Sequence, residues 1–311
     1  MQEGWSGNSE RYQQHMASHQ AWQQVLHALG LQFHYLSYEQ LAKHGVDRKR
    51  FDVLVLPDAI ALSDAEVKRI KTFLTAGGTV LADGAPGQFD EHSKPRAHAA
   101  LTASNGVHLV GLPQTDDEAE RRGYVNQIRP LLTAAGVRSP AQVSQPIAQV
   151  VRYTDGPAEY VALADAPSEA HTVTFDRSAH IYDLRARRYL GETGRLEVPA
   201  GSARVALYSL LPGRVEAVEA KVGGPFGPGE EVEVAVLARA AASFRHVFAV
   251  HVYGPDGVLR PMYGANLDAP GGKGLHKFRL AWNDMVGEWR VVATDAATGV
   301  TGEARFVVTG E

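Results

Sequence analysis

The segment GGTVLADGAPGQFDEH, from Gly77 to His92, places several chemically active side chains directly after an apolar strand. A sharp turn after a strand is where many α/β enzymes hold a nucleophile, and a carboxylate with a histidine can act as acid and base. The chain contains no cysteine, which excludes a thiol nucleophile, a disulfide and a thiolate metal site. The candidate ligand-facing residues at this edge of the predicted sheet are Asp58, Asp83, Gly84, Asp90, Glu91 and His92.

Two interpretations of this turn stay open. In the first, Gly84 and Gly87 only let the chain turn tightly, because glycine adopts backbone conformations that other residues avoid. In the second, the carboxylates contact a sugar or a divalent ion, since ligands of open α/β sheets bind at the carboxyl ends of the strands. Consecutive residues such as Glu91 and His92 cannot point in one direction, so we assign no catalytic residue, no metal site and no cofactor.

Other polar residues fit structural roles better than catalytic ones. His15 and His19 lie four residues apart on one predicted helix face, but a zinc site needs further ligands, so packing of His19 is favoured. The glycine-rich stretch GPFGPGEE (Gly224–Glu231) lacks the lysine and hydroxyl residue of a phosphate loop and is predicted to be a turn. No serine occupies a G-x-S-x-G turn; those considered are Ser37, Ser63 and Ser209.

The elements that must position the acidic turn alternate between helix and strand. Apolar residues at spacings of three and four predict a helix over 9–29, and LQFHYLS (31–37) predicts a strand. FDVLVLPD (51–58) is a continuous apolar run typical of a strand in the middle of a parallel sheet. Ser63 and Glu66 form a capping box at the start of the next helix. The remaining predicted elements are a strand in TVLADG (79–84), a strand over 108–113 and a helix over 116–136.

Beyond about residue 140, short alternating runs separated by glycine, proline and aspartate replace the helical periodicity. They predict two antiparallel β domains, one over 141–213 and an immunoglobulin-like β-sandwich over 214–311. We expect Trp282 and Trp289 to lie in or against the sandwich core. The alternative is a platform on which sugar rings stack, formed by aromatic residues of this region. These residues are Tyr253, Tyr263, Trp282 and Trp289.

Composition limits the class of protein. A length of 311 residues predicts two or three domains, and 44% hydrophobic with 21% charged residues is ordinary for a globular chain. A net charge of −4 provides no basic field, so we expect no nucleic-acid partner. The polar start and the lack of a long apolar run predict no signal peptide and no membrane partner, which favours a cytoplasmic location.

Three motifs in the stretch from Phe51 to His92 carry a family resemblance. A strand ending in LP, a helix start of the form LS-acidic-x-E and a strand after GG follow one another in that order. Over about residues 9–135 the chain resembles the class I glutamine amidotransferase-like domain of family 42 glycoside hydrolases, known as the β-galactosidase trimerisation domain. The motifs YDLR and GETGRLEVPAG are similar to the small β domain that follows in such enzymes. GPDG and LAWNDMVGEW are similar to an immunoglobulin-like appendage.

This resemblance implies an α/β flavodoxin-like, doubly wound domain over 1–140. Class I amidotransferases hold their cysteine where this chain has Ala82 to Ala85, and the usual first strand is missing or degenerate because MQEGWSGNSE is polar. The two catalytic glutamates of family 42 belong to a barrel that would precede this sequence. The resemblance therefore implies a region without catalytic residues of its own.

We therefore expect a non-catalytic assembly or accessory region of a β-galactosidase-like glycoside hydrolase. The implied partners are further copies of the chain, as a trimer by resemblance, and carbohydrate. Trp5 and Tyr12 are candidates for a subunit contact. The alternative is a stand-alone hydrolase or a small-molecule or sugar-binding protein that uses the carboxyl edge of the sheet, with Asp83 and His92 as acid and base.

Overall fold

A computed structural model of the chain describes residues 10–104, 106–111, 118–144, 149–164, 168–202 and 204–310. The described residues up to Pro140, together with Gln149 and Val150, form one compact unit, and residues 141–144 with the described residues from Val151 onward form a second. Trp5 and the predicted strand end at 112–113 lie outside the described residues.

The first unit combines a small parallel sheet with helices. Strands β1, β2 and β3 pair in that order, and both pairings are parallel. In the described part of this unit, the helices are α1 (Glu10–Ala28), α2 (Tyr38–His44), α3 (Asp64–Thr75) and α4 (Glu118–Ala134), and the strands are β1 (Val53–Leu56), β2 (Thr79–Ala82) and β3 (Val107–Leu109).

Alternate side chains of β2 belong to two apolar clusters. Leu81 packs with residues of α1 and α4, including Trp22 and Ile128. Val80 contributes to a cluster with residues of α2 and α3. Ser63 begins α3 as predicted: its hydroxyl accepts the Glu66 amide, and the Glu66 carboxylate accepts the amide of Ser63 at 2.7 Å. The predicted helices over 9–29 and 116–136 are also confirmed within the described residues, although Pro130 lies inside α4.

The prediction of a flavodoxin-like, doubly wound domain is wrong. The chain is mostly β, with 42% of it in strands and 20% helical, and most of its sheets are antiparallel. Residues 31–37 form no strand, because Leu31 packs into the core whereas Tyr35 is 66% exposed and no neighbouring backbone pairs with the segment in the described residues. FDVLVLPD was expected in the middle of a sheet, but β1 lies at its edge. The sequential order β1-β2-β3 also lacks the reversal of strand order that defines a doubly wound sheet.

The second unit contains a six-stranded sheet in the order β4-β7-β9-β6-β5, with β8 paired to β7. The pairings of β7 with β4, β8 and β9 are antiparallel. The pairing of β7 with β8 shifts register between Thr174 and Ala179. The strands are β4 (Ala141–Val143), β5 (Gln149–Asp155), β6 (Ala158–Ala164), β7 (His171–Asp183), β8 (Arg188–Val198) and β9 (Ala206–Leu211).

The same unit contains a β-sandwich, with sheets β10-β11-β14 and β13-β12-β15-β16. Its core includes Trp289, Phe248 and Val234, each fully buried. The predicted domain boundary between residues 213 and 214 falls just before β10 and stays a prediction. The strands are β10 (Val215–Val222), β11 (Glu231–Ala240), β12 (His246–Tyr253), β13 (Ala265–Ala269), β14 (Lys273–Arg279), β15 (Gly287–Asp295) and β16 (Thr301–Val308).

Candidate functional site: the carboxyl edge of the parallel sheet

Asp83 lies directly after β2, and its carboxylate is held by helix α1. One oxygen, Oδ2, accepts the Ser18 hydroxyl at 2.6 Å. The other, Oδ1, accepts the Trp22 indole N–H at 2.9 Å and the backbone N–H of Asp58, also at 2.9 Å. The side chain is buried, with 9% exposure. Asp83 therefore joins α1, the end of β1 and the end of β2 at one point.

Asp58 follows β1 after a single proline and lies beside Asp83. Its carboxylate pairs with the Arg11 guanidinium at 2.7 Å and lies 3.6 Å from Nδ1 of His15. Its φ of +42° falls in the left-handed region that residues other than glycine seldom adopt. A Cβ on Gly84 would lie 3.8 Å from the Asp58 carboxylate, so Gly84 is part of the same edge.

His19 lies on the α1 face that approaches these carboxylates. Burial lowers the pKa of His19 below its ordinary value, and the neighbouring His15 lowers the pKa further. Asp83 and Asp58 act in the opposite direction and only partly offset these effects. The His15 and His19 rings meet edge to face, with their centroids 4.5 Å apart. His19 thus packs in its neutral form near neutral pH, in line with the predicted packing role.

The remaining candidates belong to the loop after the turn. Asp90 accepts the backbone amides of His92 at 2.9 Å and Lys94 at 2.8 Å, and the Lys94 bond is the main cause of the lowered pKa of Asp90. Glu91 and His92 are exposed. Arg96 fixes the loop by donating to backbone carbonyls, among them Leu62 O at 2.8 Å.

The candidates therefore fall into two groups with different partners. Asp58, Asp83 and Gly84 meet under α1, and in the described contacts nothing joins them to Asp90, Glu91 or His92. Within the described residues, no group of three metal-ligating side chains gathers. A shared site for acid–base chemistry by Asp83 and His92 finds no support in this geometry.

Both glycines of the turn have positive φ, +76° for Gly84 and +72° for Gly87. A Cβ on Gly87 would come within 2.6 Å of the Ala100 Cβ, whereas a Cβ on Gly84 meets only the Asp58 carboxylate oxygen. The glycines are thus required by the backbone path, as the first interpretation of the turn states.

The serines considered as nucleophiles have structural partners. Ser37 caps α2 in a second capping box, with Gln40 as its reciprocal partner, and Ser63 caps α3. Ser209 is fully buried and donates to the carbonyl of Ala297.

Sequence reasoning missed the residues of α1 that bind the carboxylates, namely Arg11, Ser18 and Trp22. Trp22 is one of the apolar residues whose spacing predicts the helix over 9–29, and that spacing does not indicate that its indole donates a hydrogen bond. Ser18 is 4% exposed and sits on the buried face among apolar residues. A small polar residue on such a face indicates a buried hydrogen-bond partner. This signal in the sequence could have revealed the role of Ser18.

The aromatic residues of the sandwich divide into core and surface. Trp289 is fully buried and Tyr263 is 8% exposed, so core packing is confirmed for these two. Trp282 is 78% exposed, and its predicted place in the core is wrong. The reason is its position in the loop after β14, beyond the last inward-facing residue, Leu280. Tyr253 stacks under the Arg290 guanidinium.

No protein-family model and no curated protein matches the chain. Among solved structures it is similar to an apo exo-carrageenase GH42 from Bacteroides ovatus, with 12% identity and a TM-score of 0.40 over 61% of this chain and 26% of that chain. It is also similar to the CARDB domain of the PF1109 protein from Pyrococcus furiosus, solved with di-metal ions. There the identity is 17% and the TM-score 0.24, over 32% of this chain and 96% of that chain.

The chain spans about a quarter of the length of the exo-carrageenase. The likeness to a GH42 protein is distant, and the finer resemblance to the amidotransferase-like trimerisation domain stays a prediction. In the part of the chain that the structure describes, no helix is both long and apolar enough to cross a bilayer.

Proposed function

We propose that this chain is a non-catalytic accessory region of a glycoside hydrolase-like protein, in which the unit built on β1 to β3 serves as a scaffold. One observation carries the non-catalytic part. Asp83, which follows the strand where related turns hold a nucleophile, uses its carboxylate to bind Ser18, Trp22 and the Asp58 amide. Both oxygens of this buried carboxylate accept hydrogen bonds from the protein itself, which supports a structural role for Asp83.

The carbohydrate part of the proposal is supported by the sequence motifs from Phe51 to His92 and by the attached β modules. The assembly part, a homo-oligomer and by resemblance a trimer, is a further proposal. Light scattering of the full chain tests assembly directly. A mass that stays monomeric at all concentrations would remove the assembly role.

The non-catalytic role is tested by turnover. The full chain is incubated with nitrophenyl glycosides and, separately, with glutamine, beside the variants Asp83→Asn and Glu91→Ala. We expect no turnover above the buffer rate for any of the three proteins. Turnover by the wild type that disappears in Asp83→Asn and persists in Glu91→Ala would refute the proposal.

A second candidate function, small-molecule binding at the same edge, is favoured by the backbone of Asp58. Left-handed φ values at residues other than glycine concentrate at functional sites, and here the strained residue is a buried carboxylate next to Arg11 and His15. Turnover or ligand binding that is lost in Asp58→Asn, with helix α1 still formed by circular dichroism, would favour this function over the first.

A further inference from the structure

Trp282 exposes most of a large aromatic ring on the surface of the sandwich. Its 78% exposure contrasts with the full burial of Trp289 in the following strand, β15. Isolated apolar residues on a surface are common, but an exposed tryptophan that is also held in one orientation is not explained by packing. The surroundings of Trp282 show that its ring is held.

The glycine-rich turn at Gly224–Glu231 supports the ring from below. A Cβ on Gly229 would lie 3.0 Å from Cε2 and from Cζ2 of Trp282, so the ring rests on a glycine backbone with no room for a side chain. Gly229 has a φ of +75°, and the turn is braced by the Gly227 amide, which donates to the Glu230 carboxylate at 2.8 Å. Leu280, two residues before Trp282, donates its amide to the Glu230 carbonyl at 3.0 Å.

The loop that carries Trp282 is tied to the core on both sides of the ring. The amide of Ala281 donates to the carboxylate of Asp284 at 2.8 Å, and the buried Tyr263 hydroxyl donates to the same oxygen at 2.5 Å. Because Tyr263 is part of the sandwich core, the loop cannot move freely. The backbone on either side of Trp282 is therefore fixed before any ligand arrives, which lowers the entropy cost of binding.

Charged side chains belong to the same turn and strand end as the ring. Arg279 is exposed and donates to the carbonyl of Gly229 at 3.1 Å, the glycine on which the ring rests. Glu231 is the cross-strand partner of Arg279, and Glu230 is exposed next to it. Burying these charges under a protein partner would be costly, whereas sugar hydroxyls can bind them while they stay in water.

From this arrangement we infer that Trp282 is a stacking platform for a pyranose ring of a neutral carbohydrate, with Arg279 and Glu230 as hydrogen-bonding groups at its rim. The C–H face of a pyranose is apolar and weakly positive, and it complements the negative face of an indole. The hydroxyl rim finds a donor in the guanidinium and acceptors in the carboxylates. The inference deepens the proposed function and rests on its carbohydrate part.

Affinity electrophoresis of the full chain tests the platform. One native gel contains no polymer, and three others contain soluble β-galactan, galactomannan or xyloglucan. The proteins compared are wild type, Trp282→Ala, Trp282→Phe and Met262→Ala. Met262 is 72% exposed in the short 3-10 helix Pro261–Tyr263 and serves as the matched apolar control. We expect wild type and Met262→Ala to be retarded in at least one gel, Trp282→Ala to bind at least tenfold more weakly, and Trp282→Phe to lie between them.

Three results would overturn the inference. One is the absence of retardation of the wild type in every polymer gel, and another is equal retardation of wild type and Trp282→Ala. The third is a fall in molecular mass of Trp282→Ala by light scattering, which would make the ring a protein contact. None of these results touches the turnover assay of Asp83, so failure of the platform and failure of the scaffold role are distinguishable.

Discussion

Removal of the Asp83 carboxylate is the most informative perturbation of the first unit. In Asp83→Ala, the Ser18 hydroxyl, the Trp22 indole N–H and the Asp58 amide lose their common acceptor. A buried donor left without a partner costs about 1–3 kcal/mol. With three donors affected, we expect the free energy of unfolding of this unit to fall by at least about 3 kcal/mol.

Asp83→Asn is the conservative counterpart and should cost much less. Its amide oxygen can still accept the Trp22 and Asp58 N–H groups, and the Ser18 hydroxyl can accept from the new amide nitrogen instead of donating. We expect a loss of about 1 kcal/mol, because a charged acceptor is replaced by a neutral one. Glu91→Ala changes an exposed carboxylate in the adjacent loop and should stay within about 0.5 kcal/mol of wild type.

Hydrogen exchange followed by mass spectrometry locates the effect. Peptides covering α1 should exchange faster in Asp83→Ala, while peptides from β12 and β15 of the sandwich should be unchanged and provide the internal reference. Equal protection of α1 in wild type and Asp83→Ala would refute the reasoning, because the helix would then not depend on this carboxylate.

Three further predictions concern pH and packing. The folded-state pKa of His19 is lowered, so its contribution to the free energy of unfolding should be complete above the unfolded pKa near 6.5 and be lost as the pH falls through the folded pKa. His19→Gln should flatten this decline in urea melts between pH 7.5 and 5.5. An unchanged dependence of the unfolding free energy on pH would contradict the assignment. Gly87→Ala should lower the melting temperature more than Gly84→Ala, because only the new methyl group at residue 87 clashes with a neighbour, at a cost of about 1–3 kcal/mol. Equal shifts of the melting temperature by calorimetry would contradict the close approach of Gly87 to Ala100. Tyr182→Phe should cost about 1–3 kcal/mol in denaturant titrations, because it strands the buried amide of Val215; a neutral variant would show that water replaces the hydroxyl.

Local signals in the sequence predicted the helices of the first unit better than its sheet. The capping box at Ser63 and Glu66 and the apolar spacing in α1 depend on residues within one or two turns, and both are confirmed. The pairing of strands depends on distant neighbours, which explains the error at FDVLVLPD. Its apolar composition suits a central strand, yet β1 has a paired neighbour on one side in the described residues.

The sequence predicted which aspartates lie at the strand ends but not what their carboxylates bind. Asp58 and Asp83 follow their strands, and this position is visible in the sequence. Their partners come from α1 and lie 47 to 65 residues away along the chain, and periodicity alone does not reveal which strand end a helix face covers. The core prediction for Trp282 was wrong for a related reason. An aromatic residue after an alternating strand is apolar enough for the core, but β14 ends at Arg279, and this places Trp282 outside it.

The central claim is that the carboxylate after β2 anchors helix α1. A double-mutant cycle between Ser18→Ala and Asp83→Ala measures this link directly, with Ser18→Ala and Glu91→Ala as the control cycle. The account predicts a coupling free energy of about 1–2 kcal/mol for the first pair and none for the control. Strict additivity of Ser18→Ala and Asp83→Ala in equilibrium unfolding would contradict it.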